Sequence, residues 1–222
     1  MAVAALSPIG LMAQKESGAT DRLHEATDVL ADMTHEGDKG IPQDLLNKAK
    51  CVVIVPNMKK AGFIFGAKYG RGFAMCRKPS GAGWSAPAAM RIEGGSFGLQ
   101  IGGSESDVIL LVMNDGGMKR LLEDKFTLGG DASVAAGPVG RTASAQTDAQ
   151  MHAEMLSWSR TRGIFAGLSL EGATLRPDHE ADKELYGRDY NNRQILMGDA
   201  KAPAAAEPLM HELDRISMAR NR

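Results

Sequence analysis

Aromatic residues are scarce in this 222-residue chain, at 5%, so any core must be built from aliphatic side chains, alanine and the 13 methionines. There are only two cysteines, Cys51 and Cys76, with no CxxC spacing, which excludes a disulfide scaffold and a zinc ribbon. Both lie in apolar, strand-like runs. A pair of buried thiols is the favoured reading, and a bridge between them is the alternative for an exported protein. No apolar run approaches the ~18 residues of a membrane-spanning helix. The five histidines, at 24, 35, 152, 179 and 211, show no metal-ligand spacing, and His24-Glu25 is not followed by a second histidine in HExxH register. No metal, cofactor or catalytic residue is therefore expected. Asp115, Asp178, Asp182 and Glu184 read as acids at helix starts or on exposed faces. Net charge is also missing: 26 basic against 27 acidic residues leaves -1, with no global drive toward nucleic acid.

The hydrophobic share of 43% and charged share of 24% are those of a globular chain, and the length suits one folded unit with tails. Glycine is plentiful at 26 residues, which fits tight turns and close backbone approaches in a strand-rich structure. Residues 2–13 (AVAALSPIGLMA) are apolar and give way to Gln14-Lys15-Glu16, like the end of a secretory signal without its basic start. They are either a clipped signal peptide or an apolar tail, with export favoured. The expected organisation is a tail or signal remnant over 1–19, one domain over 20–199, and a Pro/Ala linker with a C-terminal tail over 200–222.

Residues 20–36 place Leu23, Ala26, Val29, Leu30 and Met33 three and four apart, on one helical face. Ile41-Pro42 opens a second short helix with Leu45, Leu46 and Ala49 on one side. The period then changes. Residues 51–55 form a β-branched run closed by Pro56-Asn57, and further strands are expected at 63–65, 69–77, 84–92, 96–101 and 108–113. A helix over 118–124, strands near 132–136, 154–160 and 163–170, and a polar helix over 178–186 ended by Gly187 complete the pattern. Residues 209–220 read as a weak terminal helix of little evident purpose. No helices separate the strands, so the expectation is α+β: a curved antiparallel sheet or barrel with short flanking helices.

Gly94-Gly95-Ser96-Phe97-Gly98 matches GxSxG, but a nucleophile elbow needs a helix after the serine, and the segment reads on as strand. Residues 66–72 (GAKYGRG) lack the spacing of a phosphate loop and read as a glycine-rich β-hairpin. The feature with a chemical use is a basic run. Residues 38–92 hold ten basic and two acidic side chains, a local +8, which leaves -9 for the rest. Lys48, Lys50, Lys59, Lys60, Lys68, Arg71, Arg77 and Lys78 are expected to converge on one end of the sheet, as a surface for anionic lipid.

Several ordered blocks resemble the SYLF family. They are Ile41-Pro42-x-x-Leu45-Leu46-x-x-Ala49-Lys50, Val53-Ile54-Val55-Pro56, Lys60-Ala61-Gly62-Phe63-x-x-Gly66, Gly70-x-Gly72 and Trp84-Ser85-Ala86-Pro87. Gly98-x-Gln100-x-Gly102 with Asp107, Leu128-Gly129, Ala136-Gly137-Pro138-x-Gly140-Arg141, residues 163–172 and Tyr186-Gly187 continue the match, which covers 23–187. The resemblance implies a non-enzymatic phospholipid-binding module, with phosphoinositide binding in eukaryotic members and actin association in yeast ones. It places lipid contact on an amphipathic N-terminal helix, here 20–36, and a basic patch. That helix departs from the pattern: Asp21, Glu25, Asp28, Asp32 and Glu36 face only Arg22, so the lysine cluster is the better lipid surface. The short form resembles bacterial stand-alone members. An anionic phospholipid membrane is then the expected partner, actin is not, and the expected location is periplasmic or secreted and peripheral to the membrane, with the cytoplasm as the alternative. The rival reading is an envelope protein-interaction scaffold that binds a partner protein and no lipid.

Overall fold

A computed structural model describes residues 18–35, 40–62, 65–80, 83–97, 102–139 and 152–218. The apolar start of the chain, and with it the choice between signal remnant and tail, lies outside them, as do residues 63–64 and 98–101. The first helix, α1 (Ala19–His35), buries the expected face of Leu23, Ala26, Val29, Leu30 and Met33. The second, α2 (Gln43–Lys48), buries Leu45 and Leu46 behind Pro42, its N-cap.

Four long strands follow: β1 (Cys51–Gly62), β2 (Phe65–Cys76), β3 (Ala88–Phe97) and β4 (Gly102–Val112). They are longer than their sequence signals. Pro56-Asn57 does not end β1; a bulge there carries Asn57 at φ +50, absorbs a proline that cannot donate to the ladder, and lets the strand continue to Gly62. The described parts of the expected strands 84–92 and 96–101 meet in one strand, β3, which covers 88–97 and runs through Gly94-Gly95, while Trp84 makes an isolated bridge to Arg77.

The helix α3 (Asp115–Leu121) starts three residues earlier than expected because Asn114 caps it, accepting the Gly117 N–H at 3.0 Å. Short strands complete the sheet: β5 (Phe126–Thr127), β6 (Val134–Ala136), β7 (Met155–Thr161), β8 (Ile164–Gly167) and β9 (Thr174–Pro177). The order is β5-β9-β3-β2-β1-β4-β7-β6, with β8 also on β7. The sheet is strongly curled, a half-barrel, and nearly all antiparallel; the one departure is β6, which pairs with β7 in parallel. Three helices close the fold: α4 (His179–Tyr186), α5 (Asn192–Leu196) and α6 (Glu207–Met218). As expected, Gly187 ends α4 in the left-handed conformation, at φ +66.

Alternation divides the core between the two faces of the sheet. Val52, Ile54, Phe73, Met75, Ile109, Leu111 and Trp158 pack beneath α1, α2 and α6. Val53, Val55, Met58, Met90, Val108 and Leu110 pack with Phe126, Leu175, Ile195 and Leu196. Three expectations are corrected here. The terminal helix α6 buries Leu209, Leu213 and Ile216 against the α1 side of the core, because their spacing of four and three makes an apolar stripe. Asp182 is not on an exposed face but fully buried, and Asp178 is 1% exposed at the N-cap of α4. Cys51 and Cys76, directly opposite in β1 and β2, form a disulfide, so the bridged alternative holds over the buried thiols.

Candidate anion-binding surface

The eight cationic residues singled out in the sequence do not converge. Lys59 lies nine positions beyond Lys50 along β1, about 30 Å at the usual rise. At the Cys51–Cys76 end, Lys50 pairs with Asp115 at 2.7 Å, and Lys48 and Lys78 are exposed. Arg77 there is structural. Its Nε donates to the Ala49 carbonyl at 3.0 Å, its Nη2 reaches the Leu46 and Asn47 carbonyls, and its guanidinium lies 4.4 Å over the Trp84 ring. It satisfies carbonyls at the end of α2 and is committed to the fold.

The other end of the sheet carries Lys59, Lys60, Lys68 and Arg71, and strand alternation splits them. Lys59 shares a face with Glu105, its partner at 3.7 Å, and Arg71 on that face donates to Asp178 at 2.5 Å. Lys60 and Lys68 stand directly opposite one another on the other face. Their flanking partners in the row are Gly94 on β3 and Ser104 on β4, and the next row outward is Ser96, Gly66, Gly62 and Gly102. Neither row contains a carboxylate, and among the described residues neither lysine has an ion pair. Both are half-buried, and burial, followed by the charge of Lys68, lowers the Lys60 pKa.

Glycine makes this end of the sheet possible. A Cβ on Gly72 would lie 1.9 Å from the Ile54 carbonyl oxygen, and one on Gly70 would lie 2.6 Å from Val55 Cγ1, where the β1 bulge presses on β2. The segment 66–72 is therefore the interior of a strand and not a hairpin turn; its glycines serve close approach, and none has positive φ. Ser96 likewise sits within β3, opposite Gly66, in the strand setting expected for the GxSxG string.

An open groove of about 930 Å³ runs along these strand ends, lined by Lys59, Lys60, Glu105, Asp107, Arg160 and Arg162 among others. The two arginines were missed in the sequence, since they come from β7 and its hairpin turn, far from the basic run. Arg160 donates to Asp107 at 2.9 Å and also pairs with Asp32 of α1. That contact, with Asn57 Nδ2 donating to Glu25 at 3.3 Å, engages two acids of α1 at the end of the sheet. Arg162 and Gly163, at φ +50 and +77, make the two-residue turn between β7 and β8, and Ile164 beside them is 72% exposed. Among the described residues no three His, Cys, Asp or Glu side chains are grouped to hold a metal, and no helix is long and apolar enough to cross a membrane.

A curled α+β half-barrel sheet, covered by amphipathic helices and carrying cations at one end, is the class of domain this chain forms. A family model described as Ysc84, Las17-binding protein actin regulator, matches residues 93–216, and the chain belongs to this Ysc84 (SYLF) family. It is 38% identical over 177 residues to an SH3 domain-containing protein of Schizosaccharomyces pombe, covering 78% of this chain and 41% of that one. It is 37% identical over 178 residues to human SH3 domain-containing YSC84-like protein 1, covering 80% and 52%, and 34% identical over 180 residues to protein YSC84 of Saccharomyces cerevisiae, covering 80% and 38%. The chain thus spans about half or less of the length of these curated relatives. The family description speaks of actin regulation, which leaves the expectation against actin without support.

Proposed function

We propose that this domain binds anionic phospholipid at a membrane surface, without catalysis, through the sheet end that carries Lys60 and Lys68. The observation that supports this is the pair itself: two half-buried cations held side by side in glycine- and serine-lined rows that contain no carboxylate. Such an arrangement opposes folding and is relieved by an external anion. Lys59 and Arg162 line the adjacent groove, and each cation near an anionic bilayer contributes about 1 kcal/mol. Ile164 at the hairpin tip offers an apolar contact. The Cys51–Cys76 bridge supports an oxidising, periplasmic or secreted location. The test is co-sedimentation with phosphatidylcholine vesicles, with and without phosphatidic acid, at low and high salt. Salt-sensitive binding to the acidic vesicles alone is expected, and it should weaken at least about tenfold in Lys60→Gln/Lys68→Gln, the effect of losing two such cations. Retention of full binding by that variant removes the mechanism.

A protein-interaction scaffold is the second reading, and the family's description as Las17-binding favours it. One stoichiometric partner recovered by pull-down, together with no retention on either vesicle, would put this reading first.

A further inference from the structure

The strand β4 has a partner on one side from end to end and on the other side for only part of its length. β1 runs beside it from Gly102 to Val112, whereas β7 reaches only as far as Asp107, opposite Arg160. Beyond that point Arg162 and Gly163 turn the chain away into β8. Residues 102–106 are therefore an open sheet edge of about 17 Å, with no strand on their outer side among the described residues. The outward N–H and C=O groups of such an edge are a template for a further strand.

The groove of about 930 Å³ lies along this edge. Its lining takes neighbours that point to opposite faces of the sheet, Lys59 with Lys60 and Ser104 with Glu105, which a pocket confined to one face cannot do. Gly103 and Glu105 on it are exposed. The fold does not need Gly103 to be bare, since a Cβ there would meet nothing nearer than the Lys60 carbonyl oxygen, at 3.8 Å. A strand glycine free of that need leaves room for an approaching backbone.

Charge selects the occupant. Four cations line the groove, Lys59, Lys60, Arg160 and Arg162, against two carboxylates, Glu105 and Asp107. Glu105 stands 3.7 Å from Lys59, and Asp107 accepts Arg160 Nη2 at 2.9 Å. Lys60 and Arg162 keep no ion pair among the described residues. A second copy of the chain, pairing edge to edge, would bring these cations against their own equivalents. A bilayer has no backbone with which to complete a ladder.

We propose that the 102–106 edge of β4 binds an acidic peptide segment of a partner protein, which adds to the sheet as one further strand in the line that β7 leaves. Main-chain hydrogen bonds supply the affinity. Acidic side chains on the Ser104 face of the added strand meet Lys60, and one at the hairpin end meets Arg162, which sets the preference for the partner. This gives the protein-interaction reading a site and is independent of lipid binding.

The test is fluorescence anisotropy of the full chain with a labelled ten-residue peptide of alternating glutamate and valine. The controls are a peptide of alternating lysine and valine, and the glutamate peptide N-methylated at every amide, which keeps the charges and removes the backbone donors. The parent should bind the glutamate peptide and neither control. Binding should fall about fivefold in Lys60→Gln/Arg162→Gln, the effect of losing two exposed ion pairs. Lys68→Gln, which alters the lipid surface but not the groove lining, should bind the peptide as the parent does. No binding by the parent, or equal binding of either control peptide, overturns the proposal. Two other results also overturn it: concentration-dependent dimers without peptide binding assign the edge to a second copy, and vesicle retention lost in Arg162→Gln without peptide binding assigns it to the membrane. Failure of the parent to sediment with vesicles bears on the lipid reading alone.

Discussion

Asp182 shows how one side chain can set a pH dependence for the whole fold. The helix α4 turns it fully into the core, where Oδ1 accepts the Ala89 N–H at 2.7 Å and Oδ2 has no partner among the described residues. Burial raises its pKa from 3.8 to about 7; the Ala89 bond opposes that rise and the charge of Asp178 adds to it. The native state therefore keeps this proton up to about pH 7, whereas the unfolded chain releases it near 3.8. More protons on the native side mean that the stability owed to this group is complete below the unfolded value and is lost as pH rises through the native one. Asp182→Asn keeps an oxygen for Ala89 and removes the titration. Urea unfolding across this range should show a flatter pH profile for the variant and, at about pH 8, a stability above the parent by a few kcal/mol. Parallel profiles for the two proteins would contradict the buried-proton account. The sequence hid this residue because a helix-borne aspartate is ordinarily solvated, and nothing local reveals which face of a short polar helix meets the sheet.

Whole elements were easier to read than their partners. The three- and four-residue spacing of α1 identified five of its seven buried residues, since an apolar stripe has only one way to leave water, but it left out Ala19 and placed Arg22, which is 4% exposed, on the polar face. The strands were underestimated in length because Pro56 and the Gly94-Gly95 pair look like breaks, while a bulge and a flat glycine stretch carry the ladder through them. The terminal helix α6 was recognised as a helix but not as core: its stripe is short, follows an Ala/Pro-rich stretch, and gains meaning only when α1 lies beside it. Leu213 is fully buried in that contact. Leu213→Ala should lower stability by about 2–4 kcal/mol in denaturant unfolding, the range for truncating a core leucine. A change below about 0.5 kcal/mol, typical of a surface site, would mean that α6 does not belong to the folded unit.

At the scale of the molecule, a basic run that is compact in sequence becomes two groups at opposite ends of one long sheet. Strand rise carries Lys48, Lys50, Arg77 and Lys78 about 30 Å from the Lys60 end, and the two-residue period then sends Lys59 and Lys60 to opposite faces. Charge count alone could show neither effect, nor could it show that Asp115 and Asp178, distant in sequence, take up Lys50 and Arg71. Cations about 30 Å apart along the strands act separately, since charges beyond a screening length of about 8 Å contribute little at physiological salt. Lys48→Gln/Lys78→Gln removes the same formal charge as Lys60→Gln/Lys68→Gln from exposed positions at the far end. If the lysine pair is the contact, the far-end variant should sediment with phosphatidic acid vesicles as the parent does, with an unchanged salt dependence, while the Lys60/Lys68 variant loses both. Equal losses from the two variants would show that net charge, and not the geometry of one sheet end, drives association.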